Sequence, residues 1–413
     1  MFNVDGIDNE TIKSVVTELV KHHDMLRCVR RDGVLKILPI AESKLFDFYG
    51  FDYSKESDKY KAVTDKCSEI QASIDLENGP VVKVAVFELG DAKRMMISVH
   101  HFAIDGVSWR ILCEDFETAV EQLADGKDII LPEKTASFIE WSRKLREYGK
   151  QMDDEKRRFF SKIKCSIPDG NVKWNGGSSD MGSVSVEFNE KVTDDLLKKC
   201  SGSYGAKVNE IMLAALAKAV NAITGQEKLA VRLEGHGREE IHEPVAIDRT
   251  VGWFTNVYAV NLDCTGDDEK LIVSAKDTVR AVPNSGIGYA YADAGEETIP
   301  DICFNYLGDF SQNDGMMAYD YSCGNDISEK NILPDKVSIN ANVGDGKLIV
   351  EFTSFSHDLG RSFIECLAEE YRNTLTELID HCCESKDTVQ TASDMSISYI
   401  ADNDISFINS LID

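Results

Sequence analysis

The sequence predicts a mixed α/β protein (α+β in its segregated form) built in two halves, and three observations carry that prediction. Amphipathic helical stretches and strand-like stretches alternate along the whole chain. A segment rich in glycine, serine and turn formers, Cys165 to Gly182, interrupts the alternation and leaves parts of roughly 165 and 230 residues on either side. The 413 residues, 43% of them hydrophobic, suffice for two domains, or for two similar halves sharing a cleft.

Each element has a local reason. From Ile12, the apolar residues Val15, Val16, Leu19 and Val20 recur at helical spacing and predict an amphipathic helix. Gly79-Pro80 precedes the strand VVKVAVFELG, and Arg94 to Val99 is its hairpin partner across the Gly90-Asp91 turn. A second apolar stripe, Ile111, Leu112, Phe116, Ala119, Val120 and Leu123, predicts a helix over Ser108 to Leu123, ended by Gly126. Beyond the glycine-rich segment come a strand at SVSVEF and a helix from Asn209 through Ala222, closed by Gly225. Strands follow at Leu229 to Leu233 and Val257 to Leu262, then a helix at Glu269 to Val282 and a strand at Ile302 to Tyr306. VSINANVGDGKLIVEFTSF reads as a hairpin turning at Asp345-Gly346, and a long helix spans Arg361 to His381. From Glu384 the composition shifts to serine, aspartate and threonine, as in a linker leading out of a domain. The expected organisation is residues 1–165, a linker 166–182, residues 183–383 and a tail 384–413.

Composition excludes several classes. Lys plus Arg number 45 against 72 Asp plus Glu, a net charge of −27, which repels nucleic-acid backbones and anionic lipid surfaces. The longest apolar runs fall far short of the ~20 residues that span a bilayer, and the N-terminus shows no signal peptide. Eleven cysteines, none in a CxxC, are read as reduced thiols in a cytoplasmic protein with no structural metal.

The strongest chemical signal is His100-His101-Phe102-Ala103-Ile104-Asp105-Gly106. A strand runs into two adjacent histidines, which strand alternation turns to opposite faces, and an Asp-Gly turn then opens a helix. One histidine can pack while the other faces a cleft as a general base, with Asp105 paired to a basic group and holding the loop. The plain alternative is a pair of satisfied structural histidines, which the strand–turn–helix context makes less favoured. Glu234-Gly235-His236-Gly237-Arg238-Glu239 follows a strand, and its glycines leave room for a substrate; a loop of solvated charges fits it equally. RTVGWFTNVYAVNL, taken alone, fits core packing, PNSGIGYA is a weak phosphate cradle because it follows a helix, and FNYLGDF is unremarkable.

Together these segments resemble the epimerization domains of nonribosomal peptide synthetases, a branch of the condensation-domain superfamily. HHFAIDGVSWRIL looks like the epimerization form of HHxxxDG, and EGHGRE, RTVGWFT, PNxGxGY and FNYLG follow in that branch's order. VNEIMLAAL and the early HHDMLR match as well, so seven matches span positions 22 to 310. HHxxxDG alone is shared with condensation domains, wax-ester synthases and plant acyltransferases.

The resemblance implies two chloramphenicol-acetyltransferase-like lobes in a V-shaped pseudo-dimer with a central tunnel. It implies that His101 is the acid/base at the tunnel centre, that Glu234 faces it from the second lobe, and that Asp105 is structural. Arg27 or Arg110 would pair with Asp105, and His100 and Gly106 would support the site. Asn305 and Tyr306 are candidate donors to an enolate oxygen, a packing role fitting them equally, and His236 and Trp253 are further substrate-side candidates. The implied reaction inverts an aminoacyl or peptidyl residue held as a thioester, whose carbonyl stabilises the enolate left by α-proton removal. No cofactor of its own and no metal is implied; a 4'-phosphopantetheine arm arrives on a carrier domain, the expected partner together with neighbouring synthetase modules.

Ala290 and Ala259 replace a usual glycine and proline of the pattern. The strand that normally opens such domains lies well before the first helix, whereas this sequence starts close to that helix, so an incomplete first lobe is expected. The run Lys156-Arg157-Arg158 with Lys162 and Lys164 is a solvated helix face or a contact for an acidic carrier domain. The competing functions are amide-bond formation by a condensation domain and carrier recruitment without catalysis.

Overall fold

The computed structural model describes residues 1–167, 171–174, 176, 180–241, 244–292, 299–309, 320–325, 327–328, 331, 333–385 and 389–394. Parts of three predicted features lie outside them: residues 168–170, 175 and 177–179 of the linker, Phe310, and 386–388 and 395–413 of the tail. The chain is a mixed helix/sheet protein that divides into two units: residues 1–148 with 240–255 and 313–332, and residues 149–239 with 256–312 and 333–413.

In the first unit the elements are β1 (Phe2–Asn3), α1 (Asn9–His22), β2 (Cys28–Arg31), β3 (Val34–Ile37), β4 (Asp47–Asp52), α2 (Lys59–Ala72), β5 (Val82–Glu88), β6 (Lys93–Val99), α3 (Gly106–Ala124) and, up to Tyr148, α4 (Phe138–Gln151). The sheet order is β1-β6-β5-β4, with β2 and β3 a separate pair. β5 is buried at six consecutive positions because helices cover both faces of its sheet. Val82, Val84 and Val86 pack with Val15, Val16 and Leu19 of α1 and Ile111, Leu112 and Phe116 of α3. Ala85 and Phe87 pack on the other side with Val63, Cys67 and Ile70 of α2. Only those three residues of α2 are buried, and β4 carries a glycine among its aromatics, so neither element has a strong pattern in the sequence. The predicted helix ahead of the hairpin is α1, capped by Asp8, whose carboxylate accepts from the Glu10 and Thr11 amides.

The second unit contains α5 (Asp154–Ser166), β7 (Gly182–Glu187), α6 (Glu190–Lys198), α7 (Cys200–Tyr204), α8 (Val208–Thr224), β8 (Lys228–Gly235), β9 (Asn256–Asp263), α9 (Asp268–Arg280), β10 (Ile302–Asp309), β11 (Val337–Gly344), β12 (Lys347–Ser354) and α10 (Arg361–Glu384). Its six strands run in the order β7-β12-β11-β10-β8-β9, with β10 parallel to both its neighbours. β11 alternates strictly between buried and half-buried positions, so this sheet has one core face and one polar face. On the core face, Leu229, Val231, Leu233, Ile302, Phe304, Val337 and Ile339 pack with α8, which is buried nearly all round, and with α9 and α10. On the polar face the register aligns Arg232 with Cys303 and Cys303 with Ser338, and one pleat further Asn305 with Asn340.

Three polar features are internal. Arg157 donates to the Tyr291 and Gly149 carbonyls, and Lys164 is buried, donates to Ala292 O at 3.2 Å and lies 4.7 Å from the Tyr289 ring centre. The basic run is therefore not simply a solvated face: two of its five charges hold the α5 end of the unit. In the predicted linker, the buried Asn171 amide pairs with both the N–H and the C=O of Ala230, and Val172 N–H donates to Asp301. In the predicted tail, Asp394 accepts from the fully buried Lys276 at 2.7 Å and also pairs with Arg280, which in turn holds Glu210 at 2.9 Å.

Candidate functional site

β6 ends at Val99, one residue short of the histidine pair. The strand alternation expected to separate His100 from His101 does not apply, because His101 opens a single 3-10 turn, His101–Ala103, capped by His100. The His100 Nδ1 accepts from Phe102 N–H at 3.3 Å, and its ring packs 4.8 Å from Phe102. Burial, then the neighbouring His101, pushes the His100 pKa below the ordinary histidine value, which favours a neutral acceptor. His101 itself is exposed, with its ring edge-on to Trp253 at 6.2 Å. The turn thus does what alternation was expected to do: one histidine packs and the other is presented.

Asp105 anchors this presentation, but not through an arginine. Its carboxylate caps α3 by accepting from Ser108 N–H at 2.7 Å and accepts from Phe254 N–H at 3.0 Å. The Ser108 hydroxyl shares its proton between Asp105, at 2.7 Å, and Gly252 O, at 3.0 Å, and accepts from Gly252 N–H at 3.1 Å. Both Asp105 and Ser108 are buried, so these bonds form in a medium where leaving them unmade is costly. Arg27, the expected partner, instead donates to the carbonyls of Val20, Lys21 and Leu38 and to Asp24, closing the C-terminal end of α1. The alternative, Arg110, is exposed. A helix cap needs only an acceptor, and the main-chain amides supply what a guanidinium was expected to. Gly106 is exposed, and a Cβ there would meet nothing within 4 Å, so close packing does not account for it.

Asp105→Ala removes the cap and takes a buried acceptor from the Phe254 N–H and from Ser108. A loss of about 3 kcal/mol is expected in denaturant unfolding, with Asp105→Asn losing less because one acceptor survives.

The same network fixes Trp253, which sits exposed between two held neighbours. Phe254 packs at 5.1 Å on Phe138 and 6.0 Å on Trp141, and a Cβ at Gly252 would come within 2.5 Å of Phe138. Deeper in α3, buried Asp115 binds His23 at 2.9 Å and pairs with Arg249. The Gly252 partner of Ser108 and the Glu114 and Asp115 partners of Arg249 lie over a hundred residues away, so the sequence carries no local signal for these contacts.

In the second unit, Glu234 lies on the polar face near the end of β8, exposed, and accepts from Asn305 Nδ2 of β10 at 3.2 Å. Tyr306 does not join them. It follows Asn305 in the strand, so its side chain packs on the opposite, core face, where burial and then Asp309 raise its pKa. His236 lies just beyond β8, accepts from Arg238 N–H at 3.0 Å and is 3.4 Å from Glu239. Burial raises the pKa of Glu239 against the pull of His236. The turn of the PNSGIG segment is strained: Asn284 and Ser285 hold φ of 47° and 48°, and the Ser285 carbonyl accepts from Asn256 Nδ2 at 2.8 Å. Missed by the sequence reading is the pair Arg232–Asp335, on the same face as Glu234.

Among the described residues no group of three His, Cys, Asp or Glu could hold a metal ion, and no helix is long and apolar enough to cross a membrane.

Gramicidin S synthase 1 of Brevibacillus brevis is 34% identical over 428 aligned residues, covering 96% of this chain and 39% of that protein. Bacitracin synthase 3 of Bacillus licheniformis is 33% identical over 414 residues, covering 95% of this chain but 6% of its own length. The chain therefore spans well under half of these relatives. The crystal structure of the epimerization domain from the third module of tyrocidine synthetase B superposes with a TM-score of 0.85 at 30% identity, covering 93% of this chain and 92% of that one. The condensation domain of the Monacolin K polyketide synthase shares the fold, with a TM-score of 0.71 at 14% identity. Residues 1–399 match the condensation domain family, and the chain belongs to the condensation-domain superfamily of nonribosomal peptide synthetases.

Proposed function

We propose that this chain epimerizes an aminoacyl or peptidyl residue held as a thioester on the phosphopantetheine arm of a carrier domain. The observation that carries the proposal is Glu234: an exposed carboxylate whose hydrogen-bond partner is the neutral Asn305 amide. Inversion needs one base to remove the Cα proton and a second acid/base group to return a proton to the opposite face. His101, presented by the Asp105 network, and Glu234 are the proposed pair. The C–H bond breaks to leave an enolate conjugated with the thioester carbonyl; a C–H bond then forms on the other face, with no net change in composition. Asn305 would stabilise charge beside Glu234. The resemblance to an epimerization domain at a TM-score of 0.85 supports this reading over others in the superfamily.

Amide-bond formation is the second reading, supported by the His100-His101-Asp105 arrangement that both branches carry; it has no stated need for Glu234. The test loads a carrier domain with an L-aminoacyl or L-peptidyl phosphopantetheine, adds the protein in deuterated buffer, and reads chirality and mass after thioester cleavage. A D-residue carrying one deuterium at Cα is expected. A dipeptidyl product from two loaded carriers, without exchange, would replace epimerization by condensation.

A further inference from the structure

Glu234 has a charged neighbourhood that no motif covers. Arg232 precedes it by two positions on β8 and points to the same face, and same-face neighbours on a strand are about 7 Å apart, within an arginine's reach. Arg232 is nonetheless paired elsewhere, with Asp335, just ahead of β11. Asp335 is 6% exposed, and its Oδ1 has no hydrogen-bond partner among the described residues; the same holds for the buried Nε of Arg232. Around the pair, β10 supplies Cys303 and Asn305, β11 supplies Ser338 and Asn340, and β9 supplies the apolar Val257 and Ala259. The next charges along the chain, Asp301 and Lys336, pair with each other at 3.2 Å. Among the described residues, one cation therefore faces two carboxylates, and holds the buried one.

We propose that Asp335 is a positioning residue for Glu234: by occupying the Arg232 guanidinium it keeps that cation from Glu234, whose carboxyl stays free to take up and give back a proton. An arginine-paired carboxylate is a poor base, because the pairing favours its charged form over the protonated one. The groups sense one another: burial pushes Asp335 up to about 6 against the pull of Arg232, and the negative charge of Glu234 adds to the rise. Cys303 between them is pushed up to about 12 by burial, then by Asp335 and Glu234. The inference rests on the epimerization reading for its consequence, but not for its electrostatics.

The experiment uses the full chain with Asp335→Asn, Arg232→Met, and both together, and two readouts. One is the titration of Glu234 followed by carboxyl carbon NMR. The other is deuterium incorporation at Cα of a carrier-bound substrate. Asp335→Asn releases Arg232, so the Glu234 midpoint is expected to fall by about one pH unit and exchange to slow about tenfold. The double variant is expected to restore both to within about twofold, since the freed cation is gone. An unchanged midpoint in Asp335→Asn overturns the inference, as does a double variant as impaired as the single, which would mean that Asp335 only holds the fold. If the wild type exchanges no deuterium, the epimerization reading fails, and the Glu234 titration alone then decides the role of Asp335.

Discussion

His101→Ala and Glu234→Gln are each expected to slow deuterium incorporation at the substrate Cα by about 10²- to 10⁴-fold, the range over which a positioned acid/base group acts. Both changes are gentle to the fold. His101 is exposed, and its turn is held by the His100 cap and the Asp105 network rather than by its own ring. Glu234→Gln is isosteric and keeps an oxygen for the Asn305 amide, at 3.2 Å in the wild type. Thermal unfolding midpoints should therefore stay within a degree or two of the wild type, separating lost chemistry from lost structure. Full rates in both variants would end the epimerization proposal. Loss in His101→Ala alone, with dipeptide formed, would place the chain with the amide-forming branch.

Asp394→Ala is expected to have the largest effect on stability, about 3–5 kcal/mol, the usual penalty for removing one partner of a buried pair. Its carboxylate meets the Nζ of Lys276, whose side chain is 0% exposed, and the guanidinium of Arg280. Among the described residues, removing it leaves the buried lysine charge with the Tyr204 carbonyl, at 2.8 Å, as acceptor. Lys276→Met should cost less, because methionine fills the space and Asp394 keeps Arg280. The pH dependence has a definite sign. Burial pushes the Asp394 carboxyl up, but hydrogen bonds from Lys276, the Thr391 amide and Arg280 outweigh it, and the pKa lies below the ordinary aspartate value. Its contribution is therefore present above the ordinary aspartate range and is lost as pH falls through the lowered folded value. Urea unfolding at pH 7 and near pH 3 should show a larger difference between wild type and Asp394→Ala at the first than at the second.

Much of the architecture is legible in the sequence where periodicity is strong. The continuous apolar run of β5, the stripe of α1 and the glycine-closed α8 all read correctly, because burial on both faces, on one stripe, or all round leaves a distinct pattern. β4 and α2 were missed because each buries too few side chains to impose one. For the candidate site, residue types singled out the segments, but the interactions between them were less accessible. Arg27 or Arg110 was expected beside Asp105, whereas backbone amides and Ser108 bind its carboxylate, and Gly252 and Phe254 lie too far along the chain for any local signal. The separation of Asn305 from Tyr306 could have been read, since adjacent strand residues face opposite ways. Asp335 could not: it sits outside any motif, and only the folded sheet sets it beside Arg232.

The return of residues 240–255 to the first unit has a consequence for cutting and grafting the chain. The long stretch that reads as a seam in the sequence is not where the first unit ends. A fragment stopping at residue 167 would keep α3 and the histidine turn but lose Gly252, Phe254 and Arg249, leaving Ser108, Asp105 and Asp115 short of partners they need when buried. Complementation between two halves, or a chimera that exchanges everything after that seam, replaces the clamp on the histidine turn together with the carboxylate strand. A cleaner exchange carries 240–255 and 313–332 along with the first unit.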